Sequence, residues 1–129
     1  MSKVSIRTYY QTAVDLHRSG KVREARKLYD EILKIQPKHL ESLFMKGQSF
    51  YQEEKHEEAL QMYDQGLALQ PKHPDLILQK GRALIKLGRL DEAKSNFDYL
   101  VEHHQDNPKV LFHAARNLKE LSLFNDAEA

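Results

Sequence analysis

The chain contains no cysteine and no tryptophan, and only five glycines and four prolines in 129 residues. Without cysteine, a disulfide framework, a catalytic thiolate and a sulfur-ligated metal are excluded. The scarcity of glycine and proline leaves no segment with the composition of a long linker. The lack of cysteine also fits a reducing compartment, so we expect a cytoplasmic protein.

Charge and hydrophobicity exclude two further classes. The formal net charge is +1, whereas a nucleic-acid-binding domain normally has a basic stripe and a clearly positive charge, so no nucleic-acid partner is expected. The N-terminal segment MSKVSIRTYY has no apolar core of signal-peptide length, and no window approaches 18 apolar residues. The sequence therefore predicts no insertion into a membrane.

A pattern with a period of 34 residues runs through the chain instead. Small residues recur at two positions of the period and aromatic residues at a third. The first small set is Ala13, Gly47, Gly81 and Ala115, the second is Ala25, Ala59, Ala93 and Ala127, and the aromatic set is Tyr29, Tyr63 and Phe97. We expect the small residues where two helices cross, and the aromatic rings between one repeat and the next.

The apolar spacing within each repeat predicts two amphipathic helices. The first four helices are predicted over 5–19, 22–36, 40–52 and 57–70, and short connections make neighbours antiparallel. Gly20 and Gly88 lie at hairpin turns, whereas Glu54 occupies the equivalent position and predicts a looser turn. In the last repeat, a first helix over 108–121 and a second helix just begun at 124–129 are predicted, which leaves Leu111, Ala115, Leu118 and Leu121 on an apolar face.

The period and its residue types resemble the tetratricopeptide repeat family, from about Ile6 onward. The resemblance implies an all-α fold, a right-handed α-solenoid of about three and a half repeats. One domain, 1–129, would contain repeats at about 6–39, 40–73 and 74–107 and an incomplete one at 108–129. It also implies a non-enzymatic scaffold that binds a peptide or helix of another protein in a concave groove.

In this family the first helix of each repeat lines the groove. The resemblance places there Tyr10, Val14, Phe44, Met45, Gln48, Tyr51, Leu78, Gln79, Arg82, Ile85, Phe112 and Arg116, with His17 beside them. The apolar residues would bury partner side chains, the glutamine amides would hold its backbone, and Arg82 and Arg116 would select acidic groups. The alternative is that Phe44, Leu78 and Ile85 pack against neighbouring helices.

The remaining polar residues predict no chemistry. His39 and His73 occupy the same link in two repeats, which indicates a repeated solvated turn, and no metal-binding spacing of histidine and carboxylate occurs. No phosphate-binding glycine loop, nucleophile elbow or cofactor fingerprint is present, so no metal, cofactor or enzymatic activity is expected. The charged segment 52–58 is predicted to be a solvated turn.

Two other functions remain open. The chain would then be the N-terminal regulatory or targeting arm of a larger, possibly catalytic, protein, or a module that forms homo-oligomers through its open C-terminal end. Family members that capture acidic chaperone tails use lysine, asparagine and arginine in the groove. The corresponding positions here are Tyr10, Val14, Met45, Asp75 and Gln79, so that function is not expected.

Overall fold

A computed structural model describes residues 3–128 of the chain, and the side chains of residues 5–123. These residues form seven α-helices and no strand. The helices are α1 (Lys3–Arg18), α2 (Val22–Ile35), α3 (Leu40–Gln52), α4 (His56–Leu69), α5 (Pro74–Lys86), α6 (Leu90–His103) and α7 (Pro108–Glu128). Helices α1 to α4 begin and end within two residues of their predicted bounds, so the sequence periodicity is confirmed there.

Consecutive helices pair into hairpins. Helix α1 packs against α2, α3 against α4, and α5 against α6. Only a few residues connect the two helices of each pair, and such short connections make them antiparallel. The chain divides into two compact units, which we call the N-terminal unit (Met1–Leu69, α1 to α4) and the C-terminal unit (Gln70–Ala129, α5 to α7).

Each unit adds contacts beyond its hairpins. In the N-terminal unit, α2 packs against α3, and α1 also contacts α3. In the C-terminal unit, α7 packs against α6 and contacts α5. The first helices of successive repeats, α1 with α3 and α5 with α7, are therefore neighbours within each unit.

The three hairpin turns share one backbone geometry. Gly20, Glu54 and Gly88 all have a left-handed φ, of 84°, 61° and 76°. In each turn the next amide N–H donates across the helix end to a carbonyl oxygen at 2.9 Å, from Lys21 to Leu16, from Lys55 to Phe50 and from Arg89 to Leu84. This is the Schellman motif.

The prediction of a looser turn at Glu54 is therefore wrong. A residue with a Cβ atom pays about 1–2 kcal/mol for the left-handed conformation. Glu54 adopts it in the turn that brings α4 to pack along α3. Tertiary packing overrides the local preference here.

The recurring spacing of small and aromatic residues has a direct structural reason. A Cβ atom added at Gly47 would lie 2.5 Å from the ring of Tyr63, and one added at Gly81 would lie 2.7 Å from the ring of Phe97. Real Cβ atoms do not approach so closely, so each glycine makes room for a fully buried ring of its own hairpin. The rings were predicted between repeats, whereas these two lie against their own hairpin's first helix.

Helix α7 differs from the prediction in length. It continues without a break from Pro108 to Glu128, whereas a turn was predicted after Leu121. Ser122 occupies the position of Gly20, Glu54 and Gly88 in the repeat. Serine disfavours a left-handed φ, and a continuing helix keeps its backbone hydrogen bonds, so the helix does not stop. The side chain of Ala127, which was matched to the alanines of the other repeats, lies outside the described residues.

The packing face of α7 also differs. Ala115 was predicted to be the small buried residue, but it is exposed, and Ala114 is fully buried together with Val110. Leu121 was predicted on an apolar face that the incomplete repeat leaves open, but it is buried, at 3% exposure. A shift of one residue turns a helix by about 100°. The apolar face predicted from the strict period is therefore rotated in α7.

Candidate functional site

The first helices of the second, third and fourth repeats begin at a capping residue that recurs every 34 positions. The Nδ1 atom of His39 accepts a hydrogen bond from the Ser42 amide at 3.2 Å, and that of His73 accepts one from the Leu76 amide at 3.3 Å. The Oδ1 atom of Asn107 does the same for α7, from the Val110 amide at 3.2 Å. The histidines lie in the links between repeats, as predicted, but they are half-buried there, and each satisfies a free backbone donor of a helix start.

In the N-terminal unit, Tyr10 and Met45 join one aromatic cluster. The Tyr10 ring lies 6.2 Å from the Tyr29 ring and 5.5 Å, edge to face, from the His39 ring, measured between centroids. Met45 packs against the same cluster as Tyr29. Burial, and then the nearby carboxylate of Glu41, raises the pKa of Tyr10, so its hydroxyl stays protonated at neutral pH.

Tyr63 contacts two more candidate residues, Phe44 and Gln48. Its ring lies 6.3 Å from the Phe44 ring, and its hydroxyl donates a hydrogen bond to Oε1 of Gln48. The Gln48 carbonyl is thus engaged in the fold, which leaves its amide N–H groups for a partner. Tyr51 lies edge to face on His56, with centroids 5.0 Å apart. These three residues, with Tyr10, Val14 and Met45, are half-buried, so part of each side chain remains open to solvent.

His17 was expected beside the groove residues, but the structure places it in the core. Its Nδ1 atom lies 3.3 Å from the Tyr29 hydroxyl, and its Nε2 atom contacts Oε1 of Gln52. Because the Gln52 carbonyl oxygen can only accept, Nε2 donates the hydrogen bond to it. Burial raises the pKa of Tyr29, which keeps that hydroxyl protonated.

The charged segment that was predicted to be a solvated turn contains a structural residue. The carboxylate of Glu53 lies 2.5 Å from Arg26 and 2.7 Å from Arg23, and its side chain is only 14% exposed. Arg26 also stacks on the ring of Phe50, at 4.3 Å from the centroid. The prediction is wrong for Glu53, because α2 brings two guanidinium groups to it across the chain, which sequence spacing alone does not reveal.

In the C-terminal unit, the candidates divide by exposure. Leu78 is 3% exposed and belongs to the core, as the alternative interpretation of that residue expected. Gln79, Arg82 and Ile85 are half-buried on α5. On α7, Phe112 is 62% exposed. The exposed guanidinium of Arg116 lies 3.6 Å from the carboxylate of Glu120.

Sequence profiles identify the family. A profile described as tetratricopeptide repeat matches residues 5–72, which is more than half of the chain, and a second profile with the same description matches residues 50–111. The chain belongs to the tetratricopeptide repeat family. A search of curated proteins returned no match.

Solved tetratricopeptide structures and other solved chains share the fold at low sequence identity. The Yersinia enterocolitica type III secretion chaperone SycD, in complex with a peptide of the translocator YopD, superposes with a TM-score of 0.87 at 18% identity, covering 96% of this chain and 97% of that one. PcrH from Pseudomonas aeruginosa gives 0.86 at 19% identity, covering 95% of both chains. The first tetratricopeptide domain of Spaghetti (RPAP3), bound to the HSP90 peptide SRMEEVD, gives 0.86 at 18%, covering 98% and 97%.

The described part of this repeat protein presents half-buried aromatic, amide and cationic side chains on its first helices. No helix in it is both long and apolar enough to cross a membrane. Among the same residues, no three histidine or acidic side chains are grouped so that they could hold a metal ion. The open parts of the half-buried aromatic, amide and cationic side chains provide hydrophobic contact, hydrogen bonding and charge.

Proposed function

We propose that this tetratricopeptide repeat protein is a non-enzymatic scaffold that binds a peptide or helical segment of another protein. The observation that carries the proposal is that, within each unit, half-buried side chains lie on the first helices of the repeats. A side chain that is already partly packed loses little conformational entropy when a partner covers the rest of it. We place the protein in the cytoplasm, because it contains no cysteine.

In the N-terminal unit, the proposed contact surface is aromatic and uncharged. It consists of Tyr10, Val14, Phe44, Met45, Gln48 and Tyr51. The rings of Tyr10, Phe44 and Tyr51 each contact other rings of the same unit, at centroid distances of 5.0–6.3 Å. The contacting rings are those of Tyr29, His39, Tyr63 and His56. Rigid aromatic residues are frequent hot spots of protein interfaces, so this surface suits apolar partner side chains.

In the C-terminal unit, the proposed contact surface is cationic. Gln79, Arg82 and Ile85 from α5 and Phe112 and Arg116 from α7 compose it. Arg82 forms no ion pair with any described residue. Arg116 has an ion pair with Glu120, and this pair is exposed to water. Guanidinium groups in such surroundings bind carboxylates of a partner, so we propose that Arg82 and Arg116 select acidic segments.

Structurally similar proteins support the general function. SycD and the RPAP3 domain were each solved with a peptide of another protein, YopD and HSP90 respectively. At 18% identity, the residues that contact those peptides do not transfer to this chain. The partner proposed here is therefore defined by surface chemistry alone.

The test is selection from a displayed library of random peptides of about 16 residues, long enough for a helix or an extended segment. The intact chain is expected to enrich peptides with apolar and acidic residues. The double variant Phe44→Ala/Tyr51→Ala is expected to bind the enriched peptides at least about tenfold more weakly, since hot-spot truncations each cost more than about 1 kcal/mol.

A matched control is available in the same unit. Tyr9 and Ile35 are also an aromatic and an aliphatic residue, but they are exposed and lie outside the proposed surface. Tyr9→Ala/Ile35→Ala is expected to bind like the parent chain. If circular dichroism shows that the Phe44→Ala/Tyr51→Ala variant is folded and its peptide affinity is unchanged, the proposed surface is wrong.

A further inference from the structure

Helix α7 has two opposite faces with unusual compositions. Its buried face contains Val110, Ala114 and Leu121. At about 100° per residue, the side chains on the opposite side of the helix are those at i, i+4, i+7 and i+11 starting from Phe112. We call this set the α7 row, and it consists of Phe112, Arg116, Lys119 and Leu123.

The α7 row is apolar at both ends although it faces solvent. Phe112 is 62% and Leu123 is 60% exposed, the two highest values among the exposed large hydrophobic residues described. The solvent face of an amphipathic helix is normally polar, as in α6, where Asp91, Ser95, Asp98 and Glu102 are exposed. A partner that covers Phe112 and Leu123 would remove apolar surface from water, which favours association.

Positive charge lies between the two apolar residues. Arg116 and Lys119 are exposed, and Lys119 forms no ion pair with any described residue. Glu120 is the carboxylate nearest to Arg116, at 3.6 Å, and it lies in water, where such a pair contributes little. Charge complementarity therefore calls for carboxylates in the middle of the partner segment.

The spacing of the row decides the conformation of the partner. Residues eleven positions apart lie on nearly the same side of a straight helix. The row from Phe112 to Leu123 is therefore straight and about 16 Å long, at 1.5 Å per residue. A second helix has the same rise, so its side chains at i, i+4, i+7 and i+11 meet all four residues. In an extended chain, side chains on one face are about 6.6 Å apart, because every second residue points to that face. This spacing does not match the spacing of the four residues in the α7 row.

We propose that the α7 row binds an acidic amphipathic helix, with two apolar residues eleven positions apart and carboxylates between them. This inference rests on the proposed function, because Phe112 and Arg116 belong to the C-terminal contact surface. It adds the conformation of the partner and the order of its apolar and acidic groups. Leu123 becomes a contact residue that the sequence analysis did not identify, and Lys119 joins Arg116 in binding acidic groups.

The probe is a synthetic helical peptide of about 18 residues, long enough to hold a helix in water. It has leucines eleven positions apart and glutamates four and seven positions after the first leucine, in an alanine and glutamine background. Binding to the full chain is measured by fluorescence anisotropy. Phe112→Ala and Leu123→Ala are each expected to weaken binding about tenfold, and Lys119→Glu by more, with a loss that grows at low salt.

Matched variants on α2 separate these effects from general changes of the surface. Ile35→Ala removes another exposed aliphatic side chain, and Lys27→Glu reverses the charge of another exposed lysine. Both are expected to bind the helical peptide like the parent chain. Circular dichroism and the urea midpoint of every variant establish that it is folded. Unchanged affinity of a folded Leu123→Ala or Lys119→Glu variant overturns the inference.

Two comparison peptides test the conformation. The first has the same composition with a central proline, which breaks the helix at a cost of about 3 kcal/mol, and the second is the short acidic peptide SRMEEVD. Both are expected to bind at least about tenfold more weakly. If either binds as tightly as the helix, the helical partner is wrong, whereas the proposed function fails only if the peptide library is not enriched at all.

Other occupants of the α7 row would also overturn the inference. Light scattering that shows a dimer lost in Leu123→Ala would assign the row to a second copy of the chain. Anionic vesicles that bind the parent chain and not Phe112→Ala/Leu123→Ala would assign it to a membrane surface. The proposed helix predicts a monomer without peptide and no difference between these variants on vesicles.

Discussion

The two units join one hairpin to the next by different means. In the N-terminal unit, the carboxylate of Glu53 at the end of α3 is held by Arg23 and Arg26 of α2. In the C-terminal unit, the position two periods later is Leu121, which is 3% exposed, on a helix that packs against α6. The same position of the repeat is thus stabilised by paired charges in one unit and by apolar burial in the other.

This difference teaches that the repeat pattern does not specify how neighbouring hairpins adhere. Apolar burial is favourable with many partners, because the hydrophobic effect has no direction. A carboxylate that is largely removed from water, in contrast, is stable only where arginine side chains lie within ion-pair distance. An ion pair also gives less net stability than an apolar contact of the same size. We expect the N-terminal junction to be the more specific one and the C-terminal junction to be the more stabilising one.

The largest expected effect is at the apolar junction. Leu121→Ala removes a buried side chain and is expected to lower the free energy of unfolding by about 3 kcal/mol, because a cavity adds to the lost burial. Leu123→Ala, two residues further on and exposed, is expected to change it by less than about 0.5 kcal/mol. Urea denaturation of both variants measures the difference, and equal effects would mean that Leu121 is not part of a packed junction.

At the ionic junction, Glu53→Gln is expected to lower the unfolding free energy by about 2 kcal/mol. It leaves Arg26, whose side chain is 13% exposed, without its counter-charge. Arg23→Ala should cost less than Arg26→Ala, because the Arg23 side chain is 77% exposed. The same urea titrations rank the variants, and a larger loss for Arg23→Ala would contradict this account of the junction.

Acid should weaken the ionic junction selectively. The hydrogen bond from Arg23, followed by those from Arg26, lowers the pKa of Glu53 below its ordinary value of 4.5, while burial opposes the shift. A lowered folded-state pKa gives stability that is present above the ordinary pKa and is lost as the pH falls through the folded value. The parent chain should therefore lose stability below about pH 4.5, and Glu53→Gln should lose less over the same range.

A control for the acid effect is present in the C-terminal unit. Arg89 lowers the pKa of Glu92 by a hydrogen bond, but this pair is exposed to water, which screens it. Glu92→Gln is expected to keep the pH dependence of the parent chain. Urea midpoints between about pH 3 and pH 7 give the comparison, and identical curves for Glu53→Gln and Glu92→Gln would contradict it.

The smallest effect concerns the turns that the two units share. Glu54→Gly is expected to raise the unfolding free energy by about 0.5–1 kcal/mol, because glycine removes the left-handed strain but adds entropy to the unfolded chain. Gly88→Ala is expected to lower it by about 1 kcal/mol for the opposite reason. A destabilised Glu54→Gly variant would show that the Glu54 side chain has a stabilising role.

The sequence was most informative where local and tertiary preferences agree. The helix bounds from α1 to α4 and the glycines beside Tyr63 and Phe97 followed from periodicity, because apolar spacing and backbone geometry repeat together. The capping role of His39 and His73 was missed although their 34-residue spacing was visible. His39, His73 and Asn107 each have a side-chain atom that can accept a hydrogen bond from a backbone N–H group at the start of a helix. This shared property, at one position of the repeat, was the signal that could have identified the caps.

The candidate site was less predictable. Tyr10, Phe44 and Tyr51 are half-buried on the first helices, a placement in which a partner is able to reach them. Leu78 and His17 were assigned to the same surface by repeat position, but they are buried. The position of a residue in the repeat determines the side of the helix on which its side chain lies. Its burial depends on whether neighbouring side chains cover that side.

From its sequence alone, this chain is determined to be a set of tetratricopeptide helical hairpins, because a 34-residue period of small, aromatic and apolar residues can bury itself in few other ways. Only the tertiary structure decided that Glu53 is the counter-ion of Arg23 and Arg26, that Glu54 turns left-handed and that α7 exposes Phe112 and Leu123 on one row. These features depend on residues distant in the chain, and the energy of such contacts is set by geometry that no local pattern contains.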